Sequence, residues 1–436
     1  MSNLKENRER MLSKLGIEEL NPMQKEVLDS FNSNNDLVLL SPTGTGKTVA
    51  FLLPILEKMD PECNETQVLI VSPSRELAIQ IEQVVRNMGT GLKANSVYGG
   101  RAGYQDKIDL KTPPAILIGT PGRLSDLMRR EIFSTASIHT LVLDEFDKSL
   151  EIGYEAEMKD VVTGLPKTVK KVLTSATEGT DLPGFVGLKN PVCIDYLHEK
   201  IEQLKVRAII SPTKDKIKTL VMTLNHLGDQ PGIVFCNFKE TIQQVSEFLE
   251  KNNIHHGCFQ GGMEQVDRER TLIKFRNGTY RLLIATDLAA RGLDIPELKY
   301  IIHFELPQRS QEFTHRNGRT ARMKSDGTAY VIKWEKESLP DFIGKVEIEN
   351  LTNAHVPDVP VWETLHITGG RRDKISKGDI AGLFFKQGKL QKEQLGVIEI
   401  KQDCSYVAVL SSVSDRVILL LNNEKLKTKK VRVSKV

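Results

Sequence analysis

A glycine-rich loop between a predicted strand and a predicted helix carries the side chains with the clearest potential for chemistry. Glycines let backbone N–H groups approach phosphate oxygens, a lysine can reach the terminal phosphates of a nucleotide, and a threonine hydroxyl can bind Mg²⁺. Ser41 stands where the usual G-x-x-x-x-G-K-[ST] pattern begins with glycine, and a plain turn between strand and helix is the alternative. We predict a phosphate-binding loop formed by Ser41, Pro42, Thr43, Gly44, Thr45, Gly46, Lys47 and Thr48.

Two adjacent carboxylates follow a predicted strand in the same part of the chain. Asp144 and Glu145 come directly after the apolar run Thr140–Leu143. A carboxylate at this place can coordinate Mg²⁺, and its neighbour can orient or deprotonate an attacking water. An acidic turn is the alternative, but the phosphate-binding loop favours the catalytic interpretation. Asp144 and Thr48 are therefore the predicted metal ligands.

Apolar strands alternate with helical stretches through most of the chain, and polar residues follow the strands. This pattern is typical of parallel sheets covered by helices on both faces, and ligands bind outside the carboxyl ends of their strands. A second alternation begins near residue 205 and has no phosphate-binding loop. The predicted strands are Asp36–Leu40, Val68–Val71, Ala115–Ile118, Thr140–Leu143 and Val172–Thr174, then Gly232–Cys236, Arg281–Ala285 and Lys299–His303.

Three arginines at intervals of three residues lie in the second alternation. The spacing of Arg316, Arg319 and Arg322 is typical of one face of a helix. One interpretation is a basic helix face, and the other is a set of arginines that completes a nucleotide site from a second domain.

Bulk composition predicts a soluble, multidomain protein of the cytoplasm. The chain has 436 residues and a net charge of +3, no apolar run long enough to cross a membrane, and no apolar signal sequence at its N-terminus. Its five cysteines are scattered without metal or redox spacing. The charge is uneven, because residues 361–436 carry +7 and the remainder carries −4. The charge of this basic C-terminal module leaves two interpretations open, a solvated face and a surface for an acidic partner.

The basic module has its own pattern of strands and helices. Leu365–Thr368, Gly396–Lys401, Ser405–Leu410 and Lys427–Val433 are the predicted strands, and Lys377–Gln387, capped by Ser376, and Ser412–Leu421 the predicted helices. This βαββαβ order is that of an RNA recognition motif. Only Tyr406 supplies an aromatic ring to a central predicted strand, so base stacking on the sheet is not favoured. The predicted phosphate contacts are Lys427, Lys429, Lys430 and Arg432.

Taken together, the motifs resemble those of the DEAD-box RNA helicase family over roughly residues 15–335. They occur in the family's order, from Gln24 and the phosphate-binding loop through Asp144–Asp147 and Ser175–Thr177 to His315–Arg322. The resemblance implies an α/β protein with two tandem RecA-like parallel-sheet domains, residues 1–196 and 205–350, followed by the RNA-recognition-motif-like domain of residues 361–436. It also implies that ATP and Mg²⁺ are bound between the two RecA-like domains and that single-stranded RNA runs across both. Separately, we expect the protein to be a monomer.

The resemblance also assigns roles to individual residues. Lys47, Asp144, Glu145, Arg319 and Arg322 would be catalytic. Gln24 would read the adenine, and Asp294 would contribute to the nucleotide site. Asp147, Ser175, Thr177 and His315 would couple hydrolysis to movement. The RNA contacts would be Arg75, Gly100, Thr120, Gly122 and Arg123 in domain 1 and Gly261, Gln265, Arg268, Thr286 and Arg291 in domain 2.

The C-terminal module resembles the RNA-binding domain of the DbpA-like subfamily, which implies a target in large-subunit ribosomal RNA within a pre-ribosomal particle. Three departures from the family pattern are visible here: Phe146 replaces an alanine, Phe238 replaces a threonine, and residues 1–23 lack the aromatic that stacks on adenine. An ATP-dependent RNA helicase is the favoured interpretation. An ATP-gated RNA clamp that does not unwind and a DNA-directed motor are the alternatives.

Overall fold

The computed structural model describes residues 2–33, 35–100, 103–177, 182–198, 204–287, 298–320, 327–352 and 361–436. The described residues up to 198 form one compact unit, and those from 204 onward form a second. Among the helices of these residues, none is both long enough and apolar enough to cross a membrane. The predicted residues Arg291, Asp294 and Arg322 lie outside the described ranges.

The first unit is built on a seven-stranded parallel sheet whose order is β3-β4-β2-β5-β6-β1-β7. Leu37 and Leu39 of β1 pack into one hydrophobic core, whereas Val38 between them packs into another. Both faces of the sheet are therefore covered, as expected for a parallel sheet. The strands are β1 Leu37–Leu40, β2 Val68–Val71, β3 Ala94–Val97, β4 Ile116–Gly119, β5 Thr140–Leu143, β6 Lys170–Ser175 and β7 Val192–Asp195.

Eight helices of the described residues cover this sheet. They are α1 Ser2–Lys14, α2 Pro22–Ser30, α3 Lys47–Lys58, α4 Arg75–Met88, α5 Gly103–Leu110, α6 Pro121–Arg129, α7 Phe146–Glu151 and α8 Glu155–Thr163.

The second unit begins with a sheet of the same connectivity, β10-β11-β9-β12-β13-β8-β14. Its strands are β8 Leu204–Ser211, β9 Gly232–Phe235, β10 Gly257–Phe259, β11 Leu282–Ala285, β12 Tyr300–His303, β13 Gly327–Trp334 and β14 Glu347–Ile348. The helices around it are α9 Ile217–Leu227, α10 Lys239–Lys251, α11 Gln265–Arg276 and α12 Ser310–Asn317. We refer to residues 204–352 as helicase domain 2.

The C-terminal domain, residues 361–436, has an antiparallel sheet in the order β16-β17-β15-β20. Its helices α13 and α14 pack on one face of that sheet. A separate two-stranded hairpin, β18–β19, precedes the last strand. The elements are β15 Trp362–Ile367, α13 Lys377–Lys386, β16 Leu395–Ile400, β17 Ser405–Leu410, α14 Ser414–Leu421, β18 Lys425–Leu426, β19 Lys429–Lys430 and β20 Val433–Lys435.

Two parallel sheets followed by an antiparallel one confirm the predicted fold class, but two local predictions were wrong. The single final strand at Lys427–Val433 is instead the hairpin followed by β20, because Lys427 turns the chain with a φ of +55°. The helix face predicted for Arg316 and Arg319 does not exist, because α12 ends at Asn317. Ser376 caps α13 as predicted, accepting a hydrogen bond from the Asp379 N–H.

Candidate nucleotide and RNA sites

The phosphate-binding loop joins the end of β1 to the start of α3. Gly44 and Gly46 have φ angles of +84° and +90°, a backbone region that favours glycine. The Lys47 ammonium is buried and donates hydrogen bonds to the carbonyl oxygens of Ser41 at 2.5 Å and Pro42 at 2.9 Å. The loop is therefore closed around its own lysine, at the amino end of a helix that favours anions.

Gln24 lies against this loop, although it precedes it by some 20 residues. Its amide nitrogen donates to the Gly46 carbonyl at 3.2 Å. A Cβ on residue 46 would lie only 2.5 Å from that nitrogen, so any other residue here would displace the Gln24 amide as well as strain the backbone. Asn21 forms a capping box with Gln24 and also donates to the Thr45 carbonyl at 3.0 Å. Sequence reasoning missed Asn21, although Asn followed three residues later by Gln is a known helix-start signal.

The predicted acidic pair lies at the end of β5, with β6 between that strand and β1. Asp144 is 3% exposed, and Thr174 donates a hydrogen bond to its Oδ1 at 2.6 Å. Burial, followed by the charge of Glu145, raises the pKa of Asp144 to about 7, although Thr174 and the charge of Lys47 act in the opposite direction. A buried carboxylate of this kind gains from a nearby cation.

Glu145 has an unusual backbone, and Thr174 contacts it as well. Its φ is +46°, which is uncommon outside glycine and asparagine and is often found at functional sites. The Glu145 N–H donates to the Thr174 hydroxyl at 3.1 Å. Thr174 therefore holds both members of the acidic pair, a role that its place inside a predicted strand did not reveal.

Three of the four residues predicted to couple hydrolysis to movement form one buried network in domain 1. The Thr177 hydroxyl donates to Asp147 Oδ2 at 2.8 Å, and the Ser175 hydroxyl donates to the Thr177 carbonyl at 2.9 Å. The Lys148 ammonium, 3.8 Å from Asp147, is also buried. His315, the fourth predicted residue, is buried in α12 of domain 2.

The predicted RNA contacts of domain 1 lie at the carboxyl ends of three neighbouring strands. Arg75 begins α4 after β2, and its guanidinium lies against Gly100, where a Cβ would come within 2.7 Å. Thr120 is the residue preceding α6, which follows β4. Gly122 has open space where a side chain would be, so a ligand backbone could approach it. Arg123 is paired with Asp106 at 2.7 Å and Asp126 at 3.0 Å.

In domain 2 the predicted RNA contacts lie near the start of α11 and after β11. Gln265 is the first residue of α11, and the Arg268 guanidinium lies 4.5 Å from the centre of the Phe259 ring. Gly261 precedes the helix, with Lys239 as the neighbour nearest to its open side. Thr286 directly follows β11. The amino end of α11 is therefore where these residues gather.

Arg316 and Arg319 have different surroundings. The Arg316 side chain is fully buried and donates to Asp287 at 2.7 and 2.5 Å, to the Glu305 carbonyl at 2.9 Å and to Asn237 Oδ1 at 2.7 Å. Arg316 is therefore a structural residue of domain 2. Arg319 follows α12 and is 7% exposed.

The basic residues predicted in the C-terminal domain cluster at the hairpin. Lys427 pairs with Asp379 and Lys429 with Asp373, each at 2.8 Å. Hydrogen bonds from Lys427 and Ser376 lower the pKa of Asp379 to about 2. Lys430 and Arg432 are exposed. Ion pairs at such exposed positions are worth little, so phosphate oxygens can replace the carboxylates.

Comparison with known proteins agrees with this architecture. Three family models match: "DEAD/DEAH box helicase" over residues 21–182, "Helicase conserved C-terminal domain" over 215–324, and "DbpA RNA binding domain" over 364–435. The ATP-dependent RNA helicase DbpA of Bacillus subtilis is 30% identical, covering 98% of this chain and 96% of the relative. That of Escherichia coli is 31% identical, covering 97% and 95%.

Solved structures show the same fold. S. cerevisiae Dbp5 bound to RNA and ADP BeF3 superposes with a TM-score of 0.69 at 25% identity, covering 80% of this chain and 93% of Dbp5. The helicase Mss116 bound to single-stranded RNA and UDP-BeF gives 0.67 at 25% identity, covering 76% of this chain and 73% of Mss116.

The chain therefore belongs to the DEAD-box ATP-dependent RNA helicases. Within them it is DbpA-like, since it combines both helicase domains with the DbpA type of RNA-binding domain. It is accordingly an enzyme, an RNA-stimulated ATPase that uses ATP to act on RNA.

Proposed function

We propose that this helicase opens structured RNA locally, and that its target is large-subunit ribosomal RNA within a pre-ribosomal particle in the cytoplasm. The observation that carries the proposal is the DbpA-type domain, together with the lysine-rich hairpin on its surface. Phosphate contacts from such a hairpin give affinity, and a folded domain around it provides a surface for selection.

We further propose that the loop and the acidic pair carry out hydrolysis. Lys47 exchanges its carbonyl partners for phosphate oxygens, and Gln24 reads the adenine edge. Glu145 orients or deprotonates the attacking water, while Arg319 and Arg322 stabilise the charge that develops on the transferred phosphoryl group. Asp294 completes the nucleotide contacts. The Glu145 backbone has a positive φ, and the hydrogen bond from its N–H to the Thr174 hydroxyl holds the residue in place.

The residues present fit Mg²⁺. Thr48 and Asp144 offer the oxygen ligands that this ion prefers, and the burial that raises the pKa of Asp144 is offset when a cation lies beside it. Bound there, the ion would neutralise charge on the β- and γ-phosphates.

The predicted RNA residues are proposed to bind the strand at the edges described above, and the monomer is proposed to be the active form. The proposed RNA contacts of domain 1 are Arg75, Gly100, Thr120, Gly122 and Arg123. Those of domain 2 are Gly261, Gln265, Arg268 and Thr286. Arg291 has the same proposed role.

The test measures ATP hydrolysis by the full chain with a ribosomal RNA fragment, an unrelated hairpin of equal length and single-stranded DNA. The ribosomal fragment should stimulate hydrolysis at a concentration at least tenfold lower than the unrelated hairpin, about 1.4 kcal/mol of preference. Equal stimulation by both RNAs would contradict the ribosomal target, and equal stimulation by DNA would favour a DNA-directed motor.

Two variants separate catalysis from binding. K47A and E145Q should each abolish RNA-stimulated hydrolysis, while E145Q should still bind RNA. Duplex opening by the wild-type chain should decline as the duplex is lengthened, because local opening does not travel. ATP-dependent binding of RNA without any duplex opening would favour the clamp that does not unwind.

A further inference from the structure

The outward face of the C-terminal sheet is covered. Leu365 and Val407 point into the core with α13 and α14, so the alternate residues of β15 and β17 face the other way. In an RNA recognition motif this outward face is where bases stack. Yet Thr364 and Tyr406, on this face, are 0% and 6% exposed.

The cover is the segment that directly follows α11 in helicase domain 2. The Thr279 and Thr364 hydroxyl oxygens lie 2.7 Å apart, and the Asn277 amide nitrogen donates to the same Thr364 oxygen at 3.3 Å. Asn277 and Thr279 are 4% and 8% exposed. Three polar groups that bond each other out of water make a specific contact, because leaving any of them unpaired would cost free energy.

An aromatic ring and a glycine fit together beside this contact. Gly278 has a φ of +78°, and a Cβ on it would lie 3.3 Å from Cδ1 of Trp362. The indole therefore packs directly on the glycine backbone. Its other neighbour is Gly396 of β16, where a Cβ would lie 3.0 Å from the ring.

Two arginines of α11 complete the contact with charge. Arg276 donates to both carboxylate oxygens of Glu399, at 3.0 and 2.9 Å. Burial raises the pKa of Glu399, but the charges of Lys401 and Arg276 outweigh it and the pKa lies below its usual value. Burial raises the pKa of Tyr406 to about 12 even though Arg270 hydrogen-bonds its hydroxyl.

We propose that the outward sheet face of the C-terminal domain is an intramolecular docking surface for the carboxyl end of α11 and residues 277–279, and is not its RNA surface. The C-terminal domain is then a fixed extension of helicase domain 2. RNA then binds at the hairpin β18–β19 and its surroundings, a part of the domain that helicase domain 2 does not cover.

The docking also sets a distance, a consequence that rests on the proposed function. Gln265 and Arg268 lie at the amino end of α11, and Arg276 lies at its carboxyl end. At about 1.5 Å per residue the two ends are about 17 Å apart. An RNA element held by the C-terminal domain would thus be held at a fixed span from the helicase RNA contacts.

A disulfide tests the docking without RNA. The T279C/T364C variant replaces two hydroxyl groups in contact with thiols, and a disulfide needs this proximity. T279C/R416C is the matched control. The Arg416 side chain is exposed on α14, and this helix packs on the face of the sheet opposite to the proposed docking surface. Mild oxidation should cross-link the first pair within one chain and not the second. Equal or absent cross-linking in both would overturn the proposal.

The same cross-linking experiment with RNA present tests whether the outward face of the C-terminal sheet also binds bases. A saturating ribosomal RNA fragment should leave the cross-linking yield of T279C/T364C unchanged. If the outward face were the RNA surface, the fragment would compete with helicase domain 2, and the yield would fall several-fold.

Charge reversal tests the mechanical consequence. R276E should increase hydrogen exchange in Trp362–Ile367 and raise, by about tenfold, the concentration of ribosomal RNA that half-activates hydrolysis. Activation by an unrelated hairpin should change less than twofold. R276E/E399R should recover most of the loss, because the pair is restored with its signs exchanged. A loss that the double variant does not recover, or that is equal for both RNAs, would contradict fixed coupling.

Discussion

Replacing Arg316 with methionine should destabilise helicase domain 2 more than any change at the predicted catalytic arginine. The guanidinium is fully buried and makes two bonds to Asp287, one to the Glu305 carbonyl and one to Asn237. It also lies 5.2 Å from the centre of the Phe235 ring. Methionine keeps much of the side-chain length but removes every donor.

The magnitude follows from what is left behind. Asp287 is 19% exposed in its side chain, so most of its carboxylate would remain buried without a cation, and two further acceptors would lose their donor. Breaking one partner of a buried pair typically costs 3–5 kcal/mol, and for a domain of this size that is a fall in melting temperature of roughly 6–20 °C.

Calorimetry of the full chain provides the measurement, and a second variant controls for the loss of packing. R316M/D287L removes both charges, so it should recover a large part of the stability lost in R316M. A melting temperature that falls by less than about 3 °C in R316M, or a double variant no better than the single one, would refute the reasoning that the pair is structural.

Three further predictions concern catalysis, RNA and pH. R319A should lower RNA-stimulated ATP hydrolysis at saturation by about 10³-fold or more, and a loss below tenfold would remove Arg319 from the transition state. Alanine at the four basic positions should weaken binding of all RNAs to a similar degree. The slope of the logarithm of the binding constant against the logarithm of the salt concentration, measured between 50 and 200 mM, should become less steep by about 0.7–0.9 for each phosphate that is no longer neutralised. A selective decrease for one RNA would contradict this. Burial and the charge of Arg316 lower the pKa of His303 to about 3. Between about pH 6.5 and 3 the unfolded chain therefore binds a proton that the folded chain does not, and the free energy of unfolding falls by about 1.4 kcal/mol for each pH unit of acidification. H303N should lose less stability than wild type between pH 6 and 5, whereas the exposed H255N is the control and should behave as wild type. The four basic positions are Lys427, Lys429, Lys430 and Arg432.

Local pattern was sufficient to predict the strands that carry the nucleotide site. Buried parallel strands are continuous apolar runs, and their carboxyl ends meet at one edge, so the order of Thr140–Leu143 and Asp144 already placed a carboxylate there. The edge strands β3, β7 and β10 were not predicted, because they are less apolar than the interior strands. The eight-residue strands β8 and β13 lie inside the second sheet and were missed as well.

Errors arose where one residue ended an element. Arg316 and Arg319 have helical spacing, but the helix ends between them and buries the first against Asp287. Lys427 lies within a basic run typical of an extended edge, but its positive φ makes it the tip of a hairpin. Neither the end of the helix at Asn317 nor the turn at Lys427 is visible in the composition of the surrounding residues, so local pattern did not predict them.

Contacts between distant parts of the chain were beyond local reasoning. Thr364 and Thr279 are 85 residues apart and ordinary as side chains, so nothing in their neighbourhoods indicates that they meet. Gln24 and Gly46 are closer in sequence, yet only the folded loop shows that the glutamine amide lies against the glycine.

The shared connectivity of the two parallel sheets is the arrangement that a tandem duplication leaves behind. β8 occupies in the second sheet the position of β1 in the first. The tripeptide Ser211-Pro212-Thr213 begins with the last residue of β8, and the same tripeptide, Ser41-Pro42-Thr43, directly follows β1. In the second copy the next residue is Lys214, not a glycine, and α9 begins at Ile217. The same place in the two sheets is thus a glycine-rich loop in the first and a loop without glycine in the second, so the predicted phosphate site lies on only one half of a nearly symmetric scaffold.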